Sequence, residues 1–471
     1  MGKDRALSAE PGAPWWPEEA PPAEPQPALA GELEADVAIV GGGYTGLWTA
    51  LALHELEPAA MIVVLEASEC GQGPSGRNGG FLHGYWSALD RLRHSFGDGG
   101  ALAVAGAASA IIPGVREFAK RRSADVWLRE APMLRVSAAP AQDEALEHSV
   151  ATARELGVEE EALPLSPDEV AEHCSSPRFR RGVLYREGAT VQPARLLRAA
   201  RAAALEDGVV LHERTPVERL RRGSPNVLET PAGRVRAGAV VVATNAAAAS
   251  WRPLVRWLTV FGSYVVLTEP VPELLEEINW TKGESIIDGR MFLHYFRTTN
   301  DGRVLMGSGS GPIGRGGRID GRFRSDRASA GRAEAGLRLL LPGLAEAKIE
   351  RAWGGPIDVS ADHFPLFGTV PGTTIHYGAG YSGNGVGPSW LGGRILARLA
   401  LGIEDELTSL PLVNRRVRPL PPEPLKGLGG ALIRGAALRV EEAEEAGRSA
   451  APPLRAVAAL PRVLGLRVGT R

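Results

Sequence analysis

Cysteine is nearly absent from this chain: only Cys70 and Cys174 occur among 471 residues. Two thiols cannot build a disulfide framework or a cysteine-based zinc site, so a reducing, cytoplasmic setting is expected and no metal is called for. Charge of one sign is lacking as well. With 53 Lys and Arg against 55 Asp and Glu, the formal net charge is −2, which leaves no global basic field for nucleic acid. Long apolar runs are missing too. The longest small-apolar run, residues 101–112, falls short of the ~20 residues that span a bilayer and stops at Pro113, so no transmembrane segment is expected. The opening residues are acidic and proline-rich, unlike the basic-then-apolar pattern of a secretory signal.

What is present is ordinary globular material, 44% hydrophobic and 23% charged, with 58 glycines and 36 prolines that promise many turns. Residues 37–40 and 62–65 are short, non-alternating apolar runs, the pattern of parallel strands buried on both faces. Residues 208–211 and 239–243 look the same. From 260 to 268 and 291 to 309 the texture changes: aromatic and β-branched residues mix with polar ones around the turn dipeptide Asp301-Gly302, which predicts an antiparallel sheet. The expected fold is α/β, with a discontinuous Rossmann-like domain over 33–95, 178–250 and 350–404. A discontinuous antiparallel-β (α+β) domain is expected over 96–177 and 251–349. Residues 1–32 form a proline-rich arm whose Trp15 and Trp16 either belong to a disordered tail or pack on the domain surface. Residues 405–471 form a basic extension with helix-like stretches, able to touch an anionic membrane or a partner, or to pack on its own protein.

The strongest local signal is Asp36-Val-Ala-Ile-Val40, then Gly41-Gly42-Gly43-Tyr44-Thr45-Gly46, then a helical stretch. Gly41 permits the tight turn, Gly43 lets a pyrophosphate approach the backbone, and Gly46 lets helix and strand pack closely. A second strand ends in Glu66, twenty residues after Gly46, where an acid accepts hydrogen bonds from ribose hydroxyls. The complete unit implies an adenine dinucleotide, FAD or NAD. The stretch after Glu66 separates them: Ala67 leads into Ser75-Gly76-Arg77-Asn78-Gly79-Gly80, a second donor-rich loop suited to a long cofactor stretched across the sheet. FAD is the better fit. Cys70, with no adjoining His or Lys, reads as a small packed residue.

These motifs resemble the D-amino-acid oxidase-like FAD amine oxidoreductases, which include glycine oxidase and sarcosine oxidase, and most of all the branch holding γ-glutamylputrescine oxidase and aminophosphonate oxidoreductases. Two further segments carry the likeness. One is Val241-Val242-Ala243-Thr244-Asn245; the other is Asp362-His363-Phe364-Pro365-Leu366-Phe367-Gly368 followed by Gly380-Tyr381-Ser382-Gly383-Asn384-Gly385-Val386. The resemblance implies that Val217, Thr244 and Asn245 lie along the adenosine half of FAD and that residues 380–386 face the flavin. Consecutive N–H groups and a helix N-terminus there would stabilise the negative charge of the reduced ring. Gly354-Gly355 stands where sarcosine oxidases carry a flavin-linking Cys, and Arg77 where dimethylglycine relatives carry a flavin-linking His, so non-covalent FAD is implied. None of the five lysines falls on the strand at Val304 to Gly307, where an oxygen-activating Lys is expected. Either His294 or His363 supplies that charge, or the electrons go to an acceptor other than oxygen.

The implied reaction moves a hydride from the amine-bearing carbon of a small-molecule substrate to flavin N5, after which water hydrolyses the imine. Apolar and aromatic walls then matter more than a strong base. Phe81, Tyr85 and Trp86, which follow the second donor-rich loop, and Tyr264, His294, Tyr295 and Tyr381 are the candidate walls, and Arg297 is the candidate grip for an anionic group on the substrate. The alternatives are a 2-hydroxy acid oxidoreductase on the same scaffold and a non-catalytic flavoprotein that serves electron transfer.

Overall fold

The computed structural model describes residues 12–466. Its first layer grows from the apolar runs. Gly31–Val40 and Ile62–Leu65 lie parallel, Val37 opposite Ile62 and Val40 opposite Leu65, and Ile62–Leu65 is buried throughout. Gly233–Val242 runs parallel to Gly31–Val40 on the other side and then pairs with Ile375–Ala379. The helix Val386–Leu401 packs against Tyr44–Leu56 so closely that a Cβ on Gly393 would fall 2.6 Å from the Trp48 backbone.

The second layer is an eight-stranded sheet in the order Ile349–Ser360, Leu258–Thr268, Val304–Ser308, His294–Thr298, Ser285–Asp288, Met133–Ser137, Arg181–Tyr185, Leu163–Leu165. All neighbours are antiparallel except Ser285–Asp288 with Met133–Ser137. The α/β class with an antiparallel second unit is therefore observed. The boundaries shift. Arg181–Tyr185 and Ile349–Ser360 belong to the second sheet, although residues 178–250 and 350–404 were expected in the first unit. Ile349–Ser360 is long enough to serve both: it pairs with Leu258–Thr268 along its length, and Val359 then bridges to Tyr381.

Among the described residues, one helical stretch, Trp86–Arg121, is long and apolar enough to cross a membrane by composition. It breaks at Gly97 (φ 71°, ψ 178°), and Ala101, Val104, Ala108, Ile111, Val115 and Phe118 are buried in the main core. Its apolar face is used inside the protein.

Both ends pack on this body. Trp16 is fully buried beside Trp353, and its Nε1 donates to Asn78 O at 2.8 Å. Farther along the arm, Gln26 N donates to Glu213 Oε2, whose carboxylate is paired with the buried Arg201 at 2.6 Å. Of the two readings of the arm, packing is observed from residue 12 onward; residues 1–11 lie outside the described residues. At the other end, Leu425–Glu445 and Pro452–Val463 pair as helices. Glu441 of the first accepts from Met291 N and Phe292 N and faces Arg290. Up to residue 466, the basic extension thus packs on its own protein.

Candidate active site

The glycines of the first turn cannot carry side chains. Gly41 has φ +111°, and a Cβ on it would lie 2.5 Å from Ala243 O. A Cβ on Gly46 would lie 1.9 Å from Gly41 O. The turn is held from the side: Tyr44 N donates to Ser75 Oγ at 3.0 Å, and Gly42 N to Glu66 Oε2 at 2.7 Å. Glu66 follows the second strand, and its Oε1 accepts from Ser68 N at 3.0 Å; Ala67 is exposed after it, and Thr215 N donates to Glu66 O two residues before Val217. Cys70 packs under Gly42; burial, with Glu213 and Glu66 nearby, pushes its thiol far up, so it stays protonated.

Beyond this turn opens a cavity of about 580 Å³. Three segments converge on it. The loop Asn78-Gly79-Gly80 is locked by its own asparagine, whose Nδ2 donates to Ser75 O and whose Oδ1 accepts from Gly80 N, both at 2.8 Å. The turn Ser382-Gly383-Asn384 enters from the opposite side, with Gly380 and Gly383 at φ +81° and +93° and Asn384 Nδ2 donating to Gly84 O. Gly385 caps the helix Val386–Leu401, which starts at the cavity wall. From the second sheet comes Tyr295, stacked edge-on with Phe81 at 5.5 Å and sharing a hydrogen bond with Ser263 Oγ at 2.8 Å.

Several expected roles are corrected. Among His294, Tyr295, Arg297, Tyr264 and Tyr381, only Tyr295 lines the cavity. His294 precedes Tyr295 on one strand, so the pleat turns it to the other face, where its Nδ1 meets Asp288 Oδ2 at 2.7 Å. Tyr264 is buried and donates to Arg322 O. Tyr381 is buried in the core and accepts from Thr45 Oγ1 at 2.9 Å, so neither Tyr381 nor the Thr45 hydroxyl faces a ligand through its side chain. Tyr44 likewise sends its hydroxyl to Pro193 O at 2.8 Å and contributes only backbone to the turn. Arg297 turns its Nε and Nη1 to carbonyls, donating to Val191 O at 2.7 Å, Thr298 O at 3.1 Å and Gly80 O at 3.3 Å. Arg77 does not present its guanidinium to a phosphate in this arrangement: Nε donates to Gly354 O at 2.7 Å and Nη2 to Gly12 O. Gly76 backs the loop, since a Cβ there would meet Gly71 O at 2.1 Å.

One organising residue went unread in the sequence. Asp358 is completely buried, and its carboxylate accepts from Gly380 N, from Tyr381 N at 3.2 Å and from Asn245 Nδ2 at 3.1 Å. It ties the segment after Thr244 to the flavin-facing turn. A lone Asp in a long strand gives no motif; only the fold shows its partners. Burial raises its pKa from 3.8 to about 6 against those donors. A raised value makes the folded state the better proton binder, so this contribution is present below about pH 4 and is lost as pH rises through about 6. Asp358→Asn, which does not titrate, is expected to lose less melting temperature than the parent across that interval. Parallel curves would contradict it.

The comparisons agree with this geometry. The family model described as FAD dependent oxidoreductase matches residues 36–399. The γ-glutamylputrescine oxidoreductase of Escherichia coli (strain K12) is 30% identical over 391 residues, covering 80% of this chain and 86% of that one. Among solved structures, glycine oxidase from Geobacillus kaustophilus superposes with a TM-score of 0.68 at 23% identity, covering 82% of this chain and all of that one. L-proline dehydrogenase from P. horikoshii gives 0.64 at 18%, covering 82% and 96%. The last two likenesses speak for the fold. The side-chain-free first turn, the ribose-side acid and the glycine turn at the far end of the cavity fit a long flavin dinucleotide, as a single nicotinamide unit would not. The chain belongs to the family of FAD dependent oxidoreductases, with FAD as its cofactor.

Proposed function

We propose that this chain oxidises a C–N bond of a small amine or amino acid derivative. FAD, when bound, would supply the two-electron acceptor for the hydride of the amine-bearing carbon, while the nitrogen would lose a proton and water would convert the imine to a carbonyl compound and an amine.

The observation that carries this reading is the composition of the cavity wall. Its described lining includes Arg77, Arg91, Arg135 and Lys426 but no Asp or Glu. Such a wall disfavours an ammonium ion and so delivers the amine neutral, with the lone pair that hydride loss requires. Around these cations the wall is apolar: Phe81, Ile287, Phe292, Ile357 and Phe364 exclude water from the reacting carbon. Tyr295 keeps its proton at neutral pH, because burial pushes its phenol up to about 12, and it orients the substrate as a donor shared with Ser263. Among the described lysines, Lys426 alone lines the cavity, and its Nζ donates to Val255 O and Leu258 O at 3.2 Å. The wall therefore supports an acceptor other than oxygen as readily as oxygen.

The test is the visible spectrum of the purified holoenzyme, followed anaerobically while N-methyl amino acids, polyamine derivatives, aminophosphonates and 2-hydroxy acids are added in turn. Bleaching by an amine is the expected result. Bleaching by 2-hydroxy acids alone would move the assignment to that substrate class, and a flavin that none of them reduces would leave an electron-transfer protein.

A further inference from the structure

We propose that Arg135 anchors a carboxylate on the substrate, and that this carboxylate lies several bonds from the carbon that is oxidised. The proposal rests on the amine-oxidising reading above and narrows its substrate class.

Arg135 stands in the middle of the strand Met133–Ser137, between apolar residues that fill cores on either side. Only 5% of it is exposed, yet it lines the cavity. A guanidinium so deeply placed needs compensation. The other deeply buried arginines have it: Arg201 pairs with Glu213, while Arg297 and Arg77 each donate to backbone carbonyls. Arg135 has no carboxylate partner among the described residues. Its Nε lacks any hydrogen-bond partner, Nη1 reaches Ser149 Oγ at 3.4 Å, and the buried Tyr185 hydroxyl lies beside the guanidinium, so only neutral hydroxyls meet it. Tyr85, in the same lining, also holds a buried hydroxyl without a partner. A buried guanidinium met only by neutral hydroxyls, in a cavity whose described lining holds no acid, calls for an anion.

The sheet register sets the distance. Tyr295 lies opposite Ile287, and Ile287 lies opposite Arg135. All three line the cavity from one sheet face. Strands stand about 4.8 Å apart, so Tyr295 and Arg135 are separated by about 10 Å along that face. Tyr295 lies against the flavin-side loop, its ring 3.0 Å from where a Cβ on Gly79 would be. The reacting end therefore belongs near Tyr295 and the anion two strands away. An α-amino acid, with its carboxylate on the oxidised carbon itself, cannot span that distance; an extended ω-amino carboxylate can. Arg91, whose guanidinium sits 5.6 Å over the Phe364 ring in the same wall, adds to the positive field.

The experiment compares N-methyl-6-aminohexanoate, its primary amide and sarcosine as reductants of the flavin in the parent, Arg135→Gln and Arg135→Lys holoenzymes. The parent is expected to prefer the long carboxylate to its amide by about 100-fold, the worth of a buried charge-assisted pair. Gln should abolish that preference by weakening binding of the carboxylate far more than binding of the amide; whatever is lost with the positive charge of the wall falls on acid and amide alike, and Lys should keep part of the preference. Equal losses for acid and amide, an undiminished preference in Gln, or sarcosine as the best of the three would overturn the anchor. Hexanoate, which cannot be oxidised at nitrogen, separates the two readings. If no amine reduces the flavin but hexanoate perturbs the flavin spectrum in the parent and not in Arg135→Gln, the anchor stands and the amine reading falls. Should Gln fail to fold, the Lys variant alone carries the comparison of acid with amide.

Discussion

Gly46→Ala is expected to give a protein that retains little or no flavin. The added Cβ would sit 1.9 Å from Gly41 O and 3.3 Å from Ile39 Cγ2. Real side chains do not come that close, so something must move, and the obstacle is backbone. Gly41 cannot retreat, because it is already in a left-handed conformation against Ala243 O. The helix Tyr44–Leu56 must lift from Gly31–Val40 instead, which carries its N-terminus away from the pyrophosphate position and opens the core around Leu47 and Trp48. Overpacking of this severity costs about 3 kcal/mol or more. The ratio of flavin to protein absorbance and the melting temperature read both consequences, and a variant with the parent's flavin content would refute the cradle.

Arg297→Met is expected to act on stability instead of on substrate affinity. In the fold Arg297 is a rivet. It joins the second sheet to Gly80 of the flavin-side loop and to Val191, with the Trp16 ring 5.6 Å away. Methionine fills most of its volume but takes the guanidinium donors from Val191 O and Thr298 O, while Gly80 O keeps Val191 N at 2.9 Å. The expected loss is about 3 kcal/mol, with flavin released more readily because Gly80 loses its tie to the second sheet and keeps only Asn78 Oδ1 and Val191 N. Urea unfolding measures the first effect and flavin dissociation the second. Unchanged stability, with KM raised for anionic amines only, would return the substrate-gripping role to Arg297 and remove it from Arg135.

The two arginines show where reading the chain stops. Both lie on β-rich segments, and both offer the same fork to a carboxylate. Neighbours in space decide between them: Arg297 meets Gly80 O and Val191 O, from residues 217 and 106 positions away, whereas Arg135 meets an acid-free cavity. His294 and Tyr295 make the same point at the closest range. They are consecutive, and the pleat sends one to Asp288 and the other to the flavin-side loop. Strand character is legible in the residues, but which face looks inward depends on register with strands far away in sequence. Tyr264 and Tyr381 were misplaced for a related reason, since an aromatic in a sheet serves a core and a site equally well.

The residues themselves determined what rests on short-range chemistry. A turn that must adopt positive φ, a helix that must approach a strand, and an acid that follows the second strand are all local demands, and glycine spacing states them directly. Tertiary structure decided everything that depends on meetings between distant segments. It placed Asp358 under the Gly380 turn, tucked the Trp15–Trp16 arm against Trp353, and laid a C-terminal helix pair beside the cavity. It also left one buried guanidinium without a partner. The physical reason is that these groups gain their roles from desolvation and from partners brought together by packing, and neither quantity exists in a stretch of chain until the whole has folded.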